Sequence, residues 1–291
     1  DKILQESVSF LAKMQNVKTG CFREDGKVLH TGMKGGVGQG KNKDLLLTAY
    51  ILTALANQKS RIPPIMIKKS LKCIKSFDVS NSNKYSLALV VYAINQYEYN
   101  SDMAKLLRSE LIQRASRGSS VMYWSDETMK AKESSRYWVK STSSEVEVTG
   151  YAYLALKDEL TRGILMNIIK WMSTQRNSKG GFHSTQDTVI GLKAIADFAE
   201  KVTVAAAENS LIVKVENSLS STKSYNITRL NKMVCKKVPF MNDADFNRNA
   251  GNRVTWSISG YGCVYLQTAT LFNVEDENIA SSSFTLTTKA V

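Results

Sequence analysis

Histidine is nearly absent from this chain: His30 and His183 are the only two in 291 residues. Several other absences narrow the reading. No run of apolar residues approaches the roughly 18 needed to cross a bilayer as a helix, so no helical membrane span is expected. The four cysteines, at 21, 73, 235 and 263, form no Cys-x-x-Cys pair, so neither a zinc site nor any other metal centre is expected. "GMKGGVGQGK" is rich in glycine but lacks the Gly-Lys-Ser/Thr ending of a phosphate loop, which argues against nucleotide binding. "NDADF", residues 242–246, offers two carboxylates without further ligands nearby. The formal charge is +13, yet Lys and Arg are scattered, with short clusters at "KGGVGQGKNK" and "MIKKSLKCIK" and no basic helix interleaved with aromatics. The expectation is a solvated basic face, with attraction to anionic cell surfaces second and nucleic acid excluded.

What is present has two periods. The 43% of apolar residues suffices for a sizeable core. Up to about residue 201 the spacing is helical. "KDLLLTAYILTALANQ" places Leu45, Ala49, Leu52 and Leu55 on one face. "PPIMIKKSLKCIKSF" opens with two prolines suited to a first helical turn. "KYSLALVVYAINQYEY" is apolar nearly all round, as in a helix covered on both sides. Ser101 and Asp102 are good caps, and "STQD" has the form of a capping box. After Val202, "LIVKVENS", "SYNITRLNK", "RVTWSISG", "CVYLQTATLF" and "SFTLTT" are short, β-branched and partly alternating. Gly260 to Gly262 reads as a turn between strands. The expected fold class is α + β and multidomain: a ring of helical hairpins, then an antiparallel β-sandwich.

An internal repeat supports the helical half. "FLAKMQNVKTGCF" and "WMSTQRNSKGGFH" align, pairing Gln15 with Gln175, Gly20 with Gly180 and Phe22 with Phe182. Each copy is an amphipathic helix, a glycine turn and a buried aromatic. Repeated hairpins cannot bury their apolar faces alone, so they stack or close, which suggests an α/α toroid.

Candidate chemistry is sparse. His183 in "GGFHSTQD" reads as a surface residue near a helix start. Glu145 and Glu147, two apart on a helix, point in different directions and read as surface or packing residues. His30, in "KVLHTGMKGG", has no Ser or Cys nucleophile at hydrolase spacing nearby. Four cysteines far apart fit two structural disulfides of a secreted protein. Asn226-Ile227-Thr228 is a single glycosylation acceptor site. "DKILQESVSF" has neither an initiator Met nor the layout of a signal peptide, so the chain is expected to be a piece of something longer.

"GCFREDGKVLHTGMKGGV" resembles the thioester-domain segment of complement components, alpha-2-macroglobulins and invertebrate thioester-containing proteins. "WMSTQRNSKGGFHSTQDTVIGLKAIADFAEKV" resembles the last helical hairpin of that domain, and "GYGCVYLQT" a strand of the CUB-type β domain in macroglobulins. "GLKAIADFAEKV" leans toward arthropod proteins and "GCVYLQT" toward macroglobulins, so an invertebrate member is expected without fixing the branch. The resemblance implies residues 1–202 as a partial thioester-domain toroid, 203–275 as the C-terminal part of a CUB-like β domain, and 276–291 as the start of a macroglobulin-type β domain.

The family's chemistry is a strained thioester between Cys and Gln in a GCGEQ-type motif. That motif is not in this chain and is expected upstream of Asp1. His30 occupies the position where complement-type members carry a catalytic histidine, whose imidazole takes the acyl group and directs it to hydroxyls. Neutral imidazole is a competent nucleophile near pH 7. The resemblance thus implies a secreted, extracellular innate-immune effector without cofactor. It would tag surfaces or trap proteases, be activated by proteases, and act once per molecule rather than as an enzyme. Gly32, Gly35 and Gly36 would let the loop present the imidazole, or would only end a helical hairpin. The resemblance also implies a Cys21–Cys73 disulfide. Cys235 and Cys263 pair with each other or with partners elsewhere. Two alternatives stand beside this one: a non-covalent module for a receptor or surface, and a toroid hydrolase or transferase, against which the missing ligand set argues.

Overall fold

The computed structural model describes residues 2–26, 42–125, 145–177, 180–205, 210–217, 222–228, 230–231, 254–261, 264 and 266. His30, Gly32, Gly35, Gly36, Cys235, Cys263, the "NDADF" stretch and residues 276–291 lie outside that set. The chain divides into two compact units, Asp1–Ala207 and Glu208–Val291.

The first unit is helical. Its helices are α1 (Lys2–Met14), α2 (Lys43–Leu55), α3 (Pro64–Ile74), α4 (Lys84–Glu98), α5 (Asp102–Gln113), α6 (Glu145–Leu156), α7 (Arg162–Thr174) and α8 (Thr185–Ala205). A two-stranded ribbon, β1 (Ser116–Arg117) with β2 (Met122–Tyr123), follows α5. Sequence dictates two kinds of helix here. In α4 every residue from Tyr85 to Ile94 is buried, and in α6 every residue from Val146 to Leu156. Such helices need neighbours on all sides, and they have them: α2 packs on α4, α4 on α6, and α6 on α8, forming an inner row. The others carry a single apolar stripe. On α5 it is Ala104, Leu107 and Leu111, and on α7 Leu165, Ile168, Ile169 and Met172. These helices pack against the inner row, α3 on α2, α5 on α4, and α7 on α6 and α8.

The helix starts follow their capping residues. The Asn83 side chain accepts from the Ser86 N–H and the Ser101 hydroxyl from the Ala104 N–H. At α8 the Asp187 N–H donates to the Ser184 hydroxyl, while the Asp187 carboxylate accepts from the Ser184 N–H and hydroxyl. That same carboxylate, almost wholly buried, also accepts from the Glu147 N–H at 2.9 Å, so one side chain caps α8 and binds it to α6.

Of the surface or packing roles open to Glu147 from the sequence, the structure shows packing. The Glu147 side chain is buried and accepts from the Tyr85 hydroxyl on α4 at 3.0 Å. Glu145 instead accepts from the Ser125 hydroxyl at 2.6 Å. Tyr85 and Tyr151 lie edge to face, 6.2 Å between centroids, and burial followed by the Glu147 charge holds both phenols protonated well above their ordinary range.

The second unit holds an antiparallel sheet ordered β4-β3-β5: β3 (Ser210–Asn217), β4 (Thr222–Ile227) and β5 (Val254–Tyr261). Leu211, Val213 and Val215 are buried, and Ile227, Tyr225, Ile258 and Trp256 stand opposite them in register on the same face. The other face carries Lys214, Glu216, Ser224, Asn226, Ser257 and Ser259. Gly260 is not in a turn. It sits inside β5 opposite Leu211 at φ 110°, where a Cβ would lie 2.2 Å from the Ser210 carbonyl oxygen. The close approach of two strand backbones, rather than a reversal, is what requires glycine there.

Candidate functional site

The residues that frame the 27–41 stretch are described, and the turn at 15–22 that leads into it is anchored to α2 and α3. After α1 the chain makes a tight reversal. Gln15 and Phe22 form an antiparallel bridge, the Arg23 N–H donates to the Met14 carbonyl, and the Gly20 N–H donates to the Asn16 carbonyl at 2.8 Å. The Asn16 side chain accepts from the N–H groups of Lys18 and Thr19, which closes the turn. Gly20 lies at φ 77°, and a Cβ there would be 2.1 Å from the Lys69 carbonyl oxygen. The turn therefore rests directly on the backbone of α3.

Three further ties fix it. The Gln15 side-chain amide donates to the carbonyls of Gly20 and Met66 and to the Ser70 hydroxyl, at 3.0, 3.0 and 2.9 Å. Cys21 and Cys73 are joined by a disulfide spanning 52 residues. On the chain-entropy estimate, closing a loop of that length is worth about 4 kcal/mol. Phe22 is buried against Ile62 and Met66, and its N–H donates to the Thr48 hydroxyl of α2 at 2.8 Å. That hydroxyl donates in turn to the Asp44 carbonyl. The chain passes Gly26 and re-enters the described structure at Asn42, immediately before α2.

The aromatic-to-threonine latch occurs three times among the described residues. The Trp124 N–H donates to the Thr149 hydroxyl of α6 at 3.0 Å, and the Phe182 N–H to the Thr188 hydroxyl of α8 at 3.1 Å. All three aromatics are buried. Each latch hands the chain to an inner helix. Between aromatic and helix lie residues 23–42 in the first copy and 125–144 in the second, but only His183 and Ser184 in the third. The sequence repeat captured the first and third copies. It missed the second, whose signal is a buried aromatic followed by an inner helix with threonine near its start. The repeat is also less exact than its letters: Gln15 is bound to α3, whereas the partner of the Gln175 side chain among the described residues is the neighbouring Thr174 hydroxyl.

Of the residues singled out from the sequence, the structure brings together Cys21 and Cys73. His183 is exposed just before α8. Asn226 is exposed on the polar face of β4. Among the described residues no group of His, Cys, Asp and Glu is placed to hold a metal ion, and no helix is long and apolar enough to cross a membrane.

A family model described as the A-macroglobulin TED domain matches residues 1–198. The chain belongs to that family. The matched stretch runs from α1 into α8 and includes the first latch, the disulfide and the segment that carries His30. Ovostatin of Gallus gallus is 27% identical over 282 residues, an alignment that takes in 94% of this chain and 18% of ovostatin. The TED-family chain therefore spans less than a fifth of the length of that relative, and the alignment necessarily extends from the helical unit into the strand-bearing one.

Proposed function

We propose that the chain is part of a secreted innate-immune thioester protein, in which His30 receives the acyl group of a thioester formed upstream and passes it to hydroxyls. The observation that carries this reading is the TED-domain match over residues 1–198, with the His30 segment leaving and rejoining a frame fixed by a disulfide and the Phe22–Thr48 latch. A rigid frame is what a single-use acyl acceptor needs, since reactive geometry must be met once and without search.

The chemistry balances with the groups the reading supplies. The neutral imidazole attacks the thioester carbonyl, the C–S bond breaks, and the Cys leaves as thiolate. That thiolate removes the proton of an incoming hydroxyl, whose oxygen displaces the imidazole. The products are an ester on the target, a free thiol and neutral His30. Each molecule reacts once, so the protein is a reagent and not an enzyme, and no metal or cofactor enters. Its partners are hydroxyl-bearing surfaces or proteins, the proteases that activate the parent, and other domains of the same protein.

The inner and outer rows of helices support an α/α toroid for residues 1–202. Val189 and Leu192, exposed on α8, are suited to contact with further helices. The sheet with one apolar face supports a CUB-like sandwich over 203–275, followed by a further β domain at 276–291. The disulfide supports an oxidising, extracellular location, and the exposure of Asn226 suits glycan attachment. Cys235 and Cys263 would be disulfide-bonded there as well.

A second reading keeps the fold and drops the covalent step, leaving a non-covalent receptor or surface module. One experiment separates them. The parent protein, upstream residues included, is treated with a small labelled amine and the released thiol is counted. One thiol per label incorporated supports the acyl-transfer reading; no label and no thiol leaves the binding module.

A further inference from the structure

We propose that the outward face of α3 is a docking surface for an acidic, amphipathic segment of a partner protein. The inference is independent of acyl transfer and of the 27–41 segment. Helix α3 turns Met66, Ser70, Cys73 and Ile74 inward. Ile65, Lys68, Lys72 and Lys75 then fall on one outward stripe at i, i+3, i+7 and i+10, with Lys69 alongside. Together with Glu98 of α4 these residues line an open recess of about 650 Å³, whose apolar part is Ile65, Ile67 and Leu71.

Charge along the stripe is largely uncompensated. Lys75 is paired with Glu98 at 2.9 Å. Among the described residues the Lys72 ammonium reaches only the Lys18 carbonyl, at 3.5 Å. Lys68 and Lys69 form no ion pair among the described residues. Like charges three and four apart on a helix each cost a few tenths of a kcal/mol, and an anionic partner removes that cost. The helix is also preorganised, being tied through Cys73 to Cys21 and pressed at the Lys69 carbonyl by Gly20, so docking orders little.

The apolar part decides the class of partner. Ile65 is 59% exposed at the N-terminal end of the basic stripe. A bare polyanion such as a sulfated glycan gains nothing from that side chain. A peptide carrying Leu, Ile or Phe between Asp and Glu residues satisfies both features.

The test uses the full 291-residue chain and a fluorophore-labelled synthetic peptide of Glu and Leu at helical spacing, with an all-Glu peptide of equal length and heparin as comparators, read by fluorescence anisotropy. The Glu/Leu peptide should bind more tightly than all-Glu. Lys68→Glu with Lys72→Glu should weaken it about ten-fold or more, Ile65→Ser several-fold, and Lys105→Glu with Lys170→Glu on α5 and α7, the same charge change at exposed positions elsewhere, hardly at all. Circular dichroism checks folding, and Lys68→Ala with Lys72→Ala replaces the reversal if that variant unfolds. The proposal is overturned if the lysine variants change affinity less than two-fold, or if heparin and all-Glu bind as tightly as Glu/Leu and Ile65→Ser is silent, which marks a general polyanion surface.

Discussion

The backbone N–H of Phe22 is satisfied by the hydroxyl of Thr48, 26 residues later and 2.8 Å away, and both residues are buried. A buried N–H without a partner costs about 1–3 kcal/mol. Thr48→Val keeps the shape and removes the acceptor, so it should destabilise the helical unit by that amount, while Thr48→Ser should stay within about 1 kcal/mol of the original. Chemical denaturation followed by circular dichroism measures both. A valine variant as stable as the serine one would show that the latch contributes nothing.

Gly20 and Gly26 both have positive φ, 77° and 112°, but only at Gly20 would a Cβ strike backbone, at 2.1 Å, whereas nothing lies within 4 Å at Gly26. Gly26→Ala should therefore cost only the conformational strain, about 1–2 kcal/mol. Gly20→Ala should cost clearly more, because the turn must lift from α3. Equal losses in thermal denaturation would contradict the contact.

Replacing Cys21 and Cys73 by serine and alanine removes the cross-link between the turn and α3. The expected loss is about 2–5 kcal/mol. Limited proteolysis should then cut first within residues 23–42, ahead of the other connections. Unchanged stability and an unchanged first cut would separate the disulfide from the anchoring of that segment.

Alkaline pH should unfold the helical unit through its tyrosines. Burial pushes the Tyr97 hydroxyl up to about 12, and burial acts in the same direction on Tyr85, Tyr151 and Tyr153. The native state thus holds these protons more tightly than the unfolded chain. Their stabilisation is fully present below the unfolded pKa of about 10 and is lost as pH climbs through 10 toward 12. The phenolate absorbance should rise cooperatively with loss of helix. Tyr97→Phe, although it gives up the hydrogen bond to the Leu52 carbonyl, should flatten the alkaline slope. A smooth titration of all tyrosines with helix intact would refute this.

How far the sequence was legible depended on the range of the interaction that sets each feature. Local rules sufficed for α4, whose all-round apolar pattern means two-sided burial, and for the caps at Ser101 and Ser184–Asp187, which span three residues. They left surface and packing roles open for Glu147, whose partner Tyr85 lies 62 residues away, and missed the Trp124–Thr149 latch, whose halves are 25 apart. Gly260 was misplaced because a glycine needed for close strand approach and one needed for a turn look the same in one dimension. Four cysteines permit three pairings. Spacing could not choose among them, and the fold joins Cys21 to Cys73. His30 was singled out by resemblance alone, since no Ser or Cys nucleophile stands near it in the sequence, and it lies outside the described residues.

The most direct measurement is acceptor selectivity in the parent protein carrying His30→Asn. With imidazole present, a labelled alcohol such as glycerol should be captured in preference to a labelled amine of equal concentration. With asparagine, which offers no nucleophile, capture should move to the amine while total thiol release persists. An acceptor ratio identical in the two proteins would contradict the role given to His30.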